Sequence, residues 1–262
     1  MKYEIDTIPV WDAVKEAHNN LVCPLCLLEK KVTFSALRYY LSDAVMVPEI
    51  RVQMNEKGFS RDHWRLLLQD GRRLPLALAA ETRWKTFLSH LQQPLRHVSN
   101  AAEKLINKKG VGALFTPKDE IQKAVEKLEQ TLSAQQSTCL IQEKINETMG
   151  RYLFTLVQLP FKDSEFKEKL DGITLCPYHL VQAARMALDT LDTSKAANLI
   201  TQLLTSSQKG WRQAQEDIFE FTQRFDPKSG GDFSGLKDAP EKVIAFLAGW
   251  IKIRDRNEEK HR

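Results

Sequence analysis

Glycine and proline are scarce in this chain, 11 and 10 of its 262 residues, where average usage would give roughly 12% between them. That shortage excludes loop-rich all-β folds and low-complexity classes. Long apolar runs are lacking as well: no stretch reaches the roughly 18 apolar residues of a membrane span, and Met1 to Asp6 has no h-region of a secretory leader. The expectation is a cytoplasmic protein with no membrane partner. A strong charge of either sign is missing too, because 38 Lys and Arg face 34 Asp and Glu for a formal net charge of +4. Arg61 to Arg73 holds four arginines and Trp64, but Asp62 and Asp70 interrupt it, and a scattered surplus of this size does not make a phosphate-backbone binder. Nucleic acid is therefore not an expected partner. No G-x-S-x-G or H-E-x-x-H occurs, which disfavours an ordinary hydrolase.

What the sequence does contain is helical periodicity. Trp84, Phe87, Leu88, Leu91, Leu95, Val98, Ala102 and Leu105 recur at steps of three and four, which predicts one helix over 81–107 with a single buried stripe. Ile121, Val125, Leu128 and Leu132 repeat the pattern after a connection at Gly110, Gly112 and Pro117. Trp211, Ala214, Ile218, Phe221 and Phe225 form a third stripe, and Val243, Phe246, Leu247 and Trp250 a last one before a polar tail. No segment alternates with period two. The expected fold class is all-α, with a first part over 1–112 and a second over 113–262, packed as one globule.

An internal repeat organises the expectation further. Setting Cys26 on Cys139 pairs Leu27 with Leu140, Lys31 with Lys144, Arg38 with Arg151 and Tyr39 with Tyr152 without a gap. A three-residue insertion then sets Ser60 on Cys176 and His63 on His179. Two related helical hairpins are implied.

The four cysteines fall within this repeat. Thiols in a cytoplasmic chain serve as metal ligands or stay reduced far more often than they form disulfides. Cys23-Pro24-Leu25-Cys26 and Cys176-Pro177-Tyr178-His179 each place proline at the first position of a helix, so ligands three residues apart share one turn. Zinc takes four nitrogen or sulfur ligands, and each repeat unit supplies three: Cys23, Cys26 and His63 in the first, Cys139, Cys176 and His179 in the second. Ser60 and Gln136 stand where each unit lacks a cysteine. The expected function is structural zinc binding with an interaction or regulatory role toward a protein partner, without catalysis. Two alternatives are a metal-dependent enzyme with an open zinc position, for which Asp62 and Glu143 are the acids to test, and a thiol-redox protein using Cys23 and Cys26.

These motifs resemble a mainly bacterial, all-α family of unknown function with C-P-x-C near its N-terminus, then G-F-C-x-x-H and L-C-x-x-H-L. The matching residues are Cys23 to Cys26, Gly58-Phe59-Ser60-Arg61-Asp62-His63 and Leu175 to Leu180, together with Phe219 to Asp226 and Phe246 to Gly249. The resemblance implies an all-α fold with Cys/His clusters and no assigned activity; Ser60 departs from the family's cysteine.

Overall fold

The computed structural model describes residues 5–20, 22–107, 119–225 and 233–249. Among them there are eleven α-helices and no strand, so the chain is all-α. In order these are α1 (Thr7–Asn20), α2 (Pro24–Tyr40), α3 (Pro48–Lys57), α4 (Arg61–Asp70), α5 (Arg73–Asn107), α6 (Asp119–Gln136), α7 (Leu140–Gln158), α8 (Ser164–Leu170), α9 (Pro177–Thr190), α10 (Thr193–Gln223) and α11 (Ala239–Ala248). No described helix is long and apolar enough to cross a membrane. The expected connection at Gly110, Gly112 and Pro117, the residue Trp250 and the polar tail lie outside the described residues.

The chain divides into two compact units, 1–32 with 146–262, and 33–145, the divisions falling inside α2 and α7. Unit 1 is thus built from both ends of the sequence. Its long α10 buries Ala196, Leu199, Leu203, Ser207, Gly210 and Ala214, a three-and-four spacing that presents one stripe to α8 and α9. Small residues at 207, 210 and 214 let the segment before α9 lie close against that stripe. Phe166, wholly buried on α8, meets Trp11 of α1 edge-on at 5.1 Å.

Unit 2 is organised by α5 and α6, which pack along each other. Helix α5 starts at Arg73, eight residues before the predicted start, because Gly71 ends α4 in the left-handed conformation and the next helix begins at once. Pro94 stands within it. The predicted stripe is also corrected. Trp84, Leu88 and Leu95 are exposed, and the buried positions include Ala79, Arg83, Leu91 and Ala101. The buried face is set by where α3, α4 and α6 lie against the helix and not by its apolar stripe, and an arginine takes part of it. The Arg83 guanidinium donates from Nη1 to the carbonyls of Asn55 (2.7 Å) and Glu56 (3.1 Å), and from Nη2 to the carbonyl (3.1 Å) and Oε1 (3.0 Å) of Gln135. It therefore satisfies carbonyls left open in the last turns of α3 and α6.

Candidate metal centre

Helix α2 starts at Pro24, and the carbonyl of Cys23 accepts the first backbone bond, from Leu27. Cys26 is the third residue of that helix, so both sulfurs belong to its first turn. Helix α9 is built the same way: Cys176 is its N-cap, Pro177 follows, and the Cys176 sulfur accepts the His179 N–H at 3.4 Å. The approach to Cys176 is held on α10. The Leu175 N–H donates to Ser207 Oγ (3.1 Å), Trp211 Nε1 donates to the Leu175 carbonyl (2.9 Å), and Ser206 Oγ donates to the carbonyls of Asp171 and Ile173 (2.8 and 2.7 Å).

Gly210 lies beneath this segment, where a Cβ would run into Thr174 Oγ1 and come to 2.7 Å from its Cγ2. Gly210→Ala is expected to destabilise unit 1 by about 1–3 kcal/mol through overpacking, whereas the same change in an unhindered helix interior stabilises by about 1 kcal/mol. Urea denaturation of wild type and variant gives the sign, and a stabilised variant would contradict the close approach.

Both helix starts lie in unit 1, and they bring Cys23, Cys26, Cys176 and His179 together, all four buried, with their ligand atoms within 4.8 Å of one another. The sulfurs surround a single nitrogen: His179 Nδ1 is 3.6 Å from Cys23 Sγ, 3.3 Å from Cys26 Sγ and 3.2 Å from Cys176 Sγ. Cys26 and Cys176 are 3.7 Å apart, sulfur to sulfur. An imidazole nitrogen directs one lone pair in its ring plane, so it cannot serve three thiols well. A tetrahedral zinc ion with bonds of about 2.3 Å to sulfur and about 2.0 Å to nitrogen spans edges of about 3.8 and 3.5 Å, close to these separations. The donor set is a Cys₃His cluster compatible with a metal such as zinc.

The four groups are coupled through their protons. Hydrogen bonds from Cys23 and Cys26 hold the Cys176 thiol far below its ordinary range. Hydrogen bonding to Cys176 and to Cys23 pushes Cys26 correspondingly up, with burial adding to the rise. Burial opposes charge on His179, but its hydrogen bonds to Cys176 and Cys23 and the nearby thiolate charge outweigh this and push it up to about 10. On the far side of the ring, His179 Nε2 lies 3.9 Å from Glu29 Oε2, the direction from which a carboxylate orients a metal-ligating imidazole. Burial raises Glu29 above the usual carboxylate range.

The grouping expected from the sequence is corrected here. Cys23 and Cys26 share their cluster with Cys176 and His179, while His63 and Cys139 meet each other in unit 2. His63 Nδ1 is 3.1 Å from Cys139 Sγ and 3.0 Å from Ser60 Oγ, and Ser60 caps α4 by accepting the His63 N–H. Cys139 immediately precedes α7, its carbonyl accepts from Glu143, and its sulfur accepts the Gln142 N–H at 3.5 Å. Burial works against the Cys139 thiolate, but the His63 hydrogen bond and the backbone N–H groups of Gln142 and Ser60 prevail and push it down to about 7.

The helix starts set a second correspondence beside the sequence pairing. Cys23 and Cys139 both stand directly before their helices, so Cys139 answers to Cys23, and Gln142, which sequence matching did not single out, answers to Cys26. Cys23 to Cys139, Cys26 to Gln142, Ser60 to Cys176 and His63 to His179 are all steps of 116 residues.

Fold and cluster together define an all-α protein with a buried Cys/His cluster of metal-ligand geometry. The chain belongs to a family of unknown function (DUF6062), whose model matches residues 1–254, in line with the resemblance drawn from its motifs. No curated protein and no solved structure matches it.

Proposed function

We propose that the chain is a non-catalytic helical scaffold, with an interaction or regulatory role, whose unit 1 is closed by one structural zinc ion on Cys23, Cys26, Cys176 and His179. The observation that carries this reading is a full set of four protein donors, each at least nine-tenths buried. A catalytic zinc combines three protein ligands with an open position for water or substrate. Four buried donors support a closed site. Asp62 and Glu143, the acids considered for an enzyme, belong to unit 2 and sit in exposed ion pairs with Arg65 (2.8 Å) and Lys57 (2.6 Å). A redox role is less well supported, since Cys26 faces Cys176 and His179 as closely as metal ligation requires.

The scaffold is further read as a duplication with exchanged halves. Each cluster takes its C-x-x-C or C-x-x-Q pair from one repeat and its C-x-x-H or S-x-x-H pair from the other. Zinc would join the two segments of unit 1 across about 150 residues of chain, and its binding would be coupled to folding because the unfolded chain holds no preformed site.

The test is metal analysis of untagged, freshly reduced protein combined with maleimide footprinting. One zinc per chain is expected, with Cys23, Cys26 and Cys176 protected from labelling until chelation removes it. Protein without zinc, or labelling of those three at equal rate before and after chelation, would overturn the reading.

A further inference from the structure

Unit 2 contains a cavity of about 410 Å³ between Phe59, α4, α5 and the end of α6. Its walls are aromatic. Trp84 stacks on Phe87 with ring centres 5.6 Å apart and planes 20° from parallel, and Phe59 meets Trp64 edge-on at 4.9 Å. Trp84 is 59% exposed, a large apolar surface for a side chain lining a recess. The volume falls in the range of small-molecule sites, roughly 300–1,000 Å³, and such sites combine apolar walls with a few polar groups that orient the ligand.

The polar groups of this wall are cationic or amide. Arg83 is buried, and its guanidinium meets carbonyl oxygens and the Gln135 amide but no carboxylate. Arg61 stands exposed at the cavity without an ion-pair partner among the described residues; the neighbouring Asp62 is taken by Arg65. The Gln136 amide lines the same recess, and among the described residues no acidic one does. A planar aromatic lining with two positive charges and no negative one is complementary to a flat aromatic ring carrying an anionic group, which can stack on Trp84 while its charge meets a guanidinium.

We propose that this cavity is a binding site for a small aromatic acid, with Trp84 and Phe87 as stacking surface and Arg61 as the contact for its anionic group. The site lies in unit 2 and does not depend on the zinc reading.

Two dyes with the same ring system test it on the full, zinc-loaded chain: 8-anilino-1-naphthalenesulfonate, and N-phenyl-1-naphthylamine, which lacks the sulfonate. The sulfonate dye is expected to bind saturably, one per chain, with quenching of tryptophan fluorescence. Arg61→Gln is expected to weaken it about tenfold and leave the uncharged dye unchanged. Trp84→Ala, at an exposed ring, is expected to weaken both, and Ala80→Phe to exclude both by filling the recess. Equal loss of both dyes in Arg61→Gln, unchanged binding in Trp84→Ala, or fluorescence that rises without saturation would overturn the proposal. So would release of dye on raising protein concentration, which would assign the recess to a second copy of the chain.

Discussion

Cys176→Ser is expected to abolish zinc binding and to lower the melting midpoint of the zinc-loaded protein by about 10 °C. Serine is the informative replacement because it keeps the local structure. Ser60 shows at the start of α4 that a hydroxyl at this N-cap accepts the N–H of a histidine three residues on. The cap on α9 therefore survives, and the loss reads the missing sulfur ligand. With free zinc about a thousandfold above the dissociation constant, binding to the native state alone contributes about 4 kcal/mol. For a domain of this length each kcal/mol moves the midpoint by about 2–4 °C. A chelator should lower the wild-type midpoint by a similar amount and leave the variant where it is. Cys139→Ser, outside the Cys₃His cluster, should keep its zinc. Retained zinc in Cys176→Ser, or a midpoint within 2 °C of wild type, would refute the assignment.

The second large effect is a gain. Ser60→Cys combined with Gln142→Cys is expected to raise the zinc content from one to two per chain. Position 60 caps α4 and already brings its Oγ to 3.0 Å from His63 Nδ1, as Cys176 brings its sulfur to 3.2 Å from His179 Nδ1. Position 142 is the third residue of α7, as Cys26 is of α2, and a side chain there points back toward the residue before the helix. With Cys139 and His63 in place, the two substitutions complete a second Cys₃His set. The native hydroxyl and amide are hard, neutral donors that compete poorly for zinc against thiolate and imidazole. Cobalt substitution provides the measurement: the thiolate-to-metal absorption per chain should roughly double, with two equivalents needed for saturation. A titration that still ends at one equivalent would show that the second set of positions does not converge.

Much of this protein is legible along the chain because its information is local. Steps of three and four predict the helices, and proline after Cys23 and Cys176 marks two helix starts. The donor residues of the centre are all among those expected. Donors near one another in sequence do not complete one another's sites. The sequence pairing puts His63 in one unit with Cys23 and Cys26, whereas in space it meets Cys139. The stripe of α5 failed for a different reason. Periodicity identifies the apolar face of a helix, but not how much of that face neighbours will cover, and Trp84 and Leu88 stay exposed.

Sequence alone determined the all-α class, the absence of an apolar run long enough to span a membrane, the helix starts at Pro24 and Pro177 and the sulfur and imidazole donors, since each depends on spacing within a turn or two. Tertiary structure decided which donors share a point. Cys26 and Cys176 are 150 residues apart in the chain and 3.7 Å apart in space, and that closeness comes from packing α1 and α8–α10 into one unit from both ends of the sequence. Long-range proximity of this kind is set by the summed burial of many apolar faces, none of which carries a local mark of its partner.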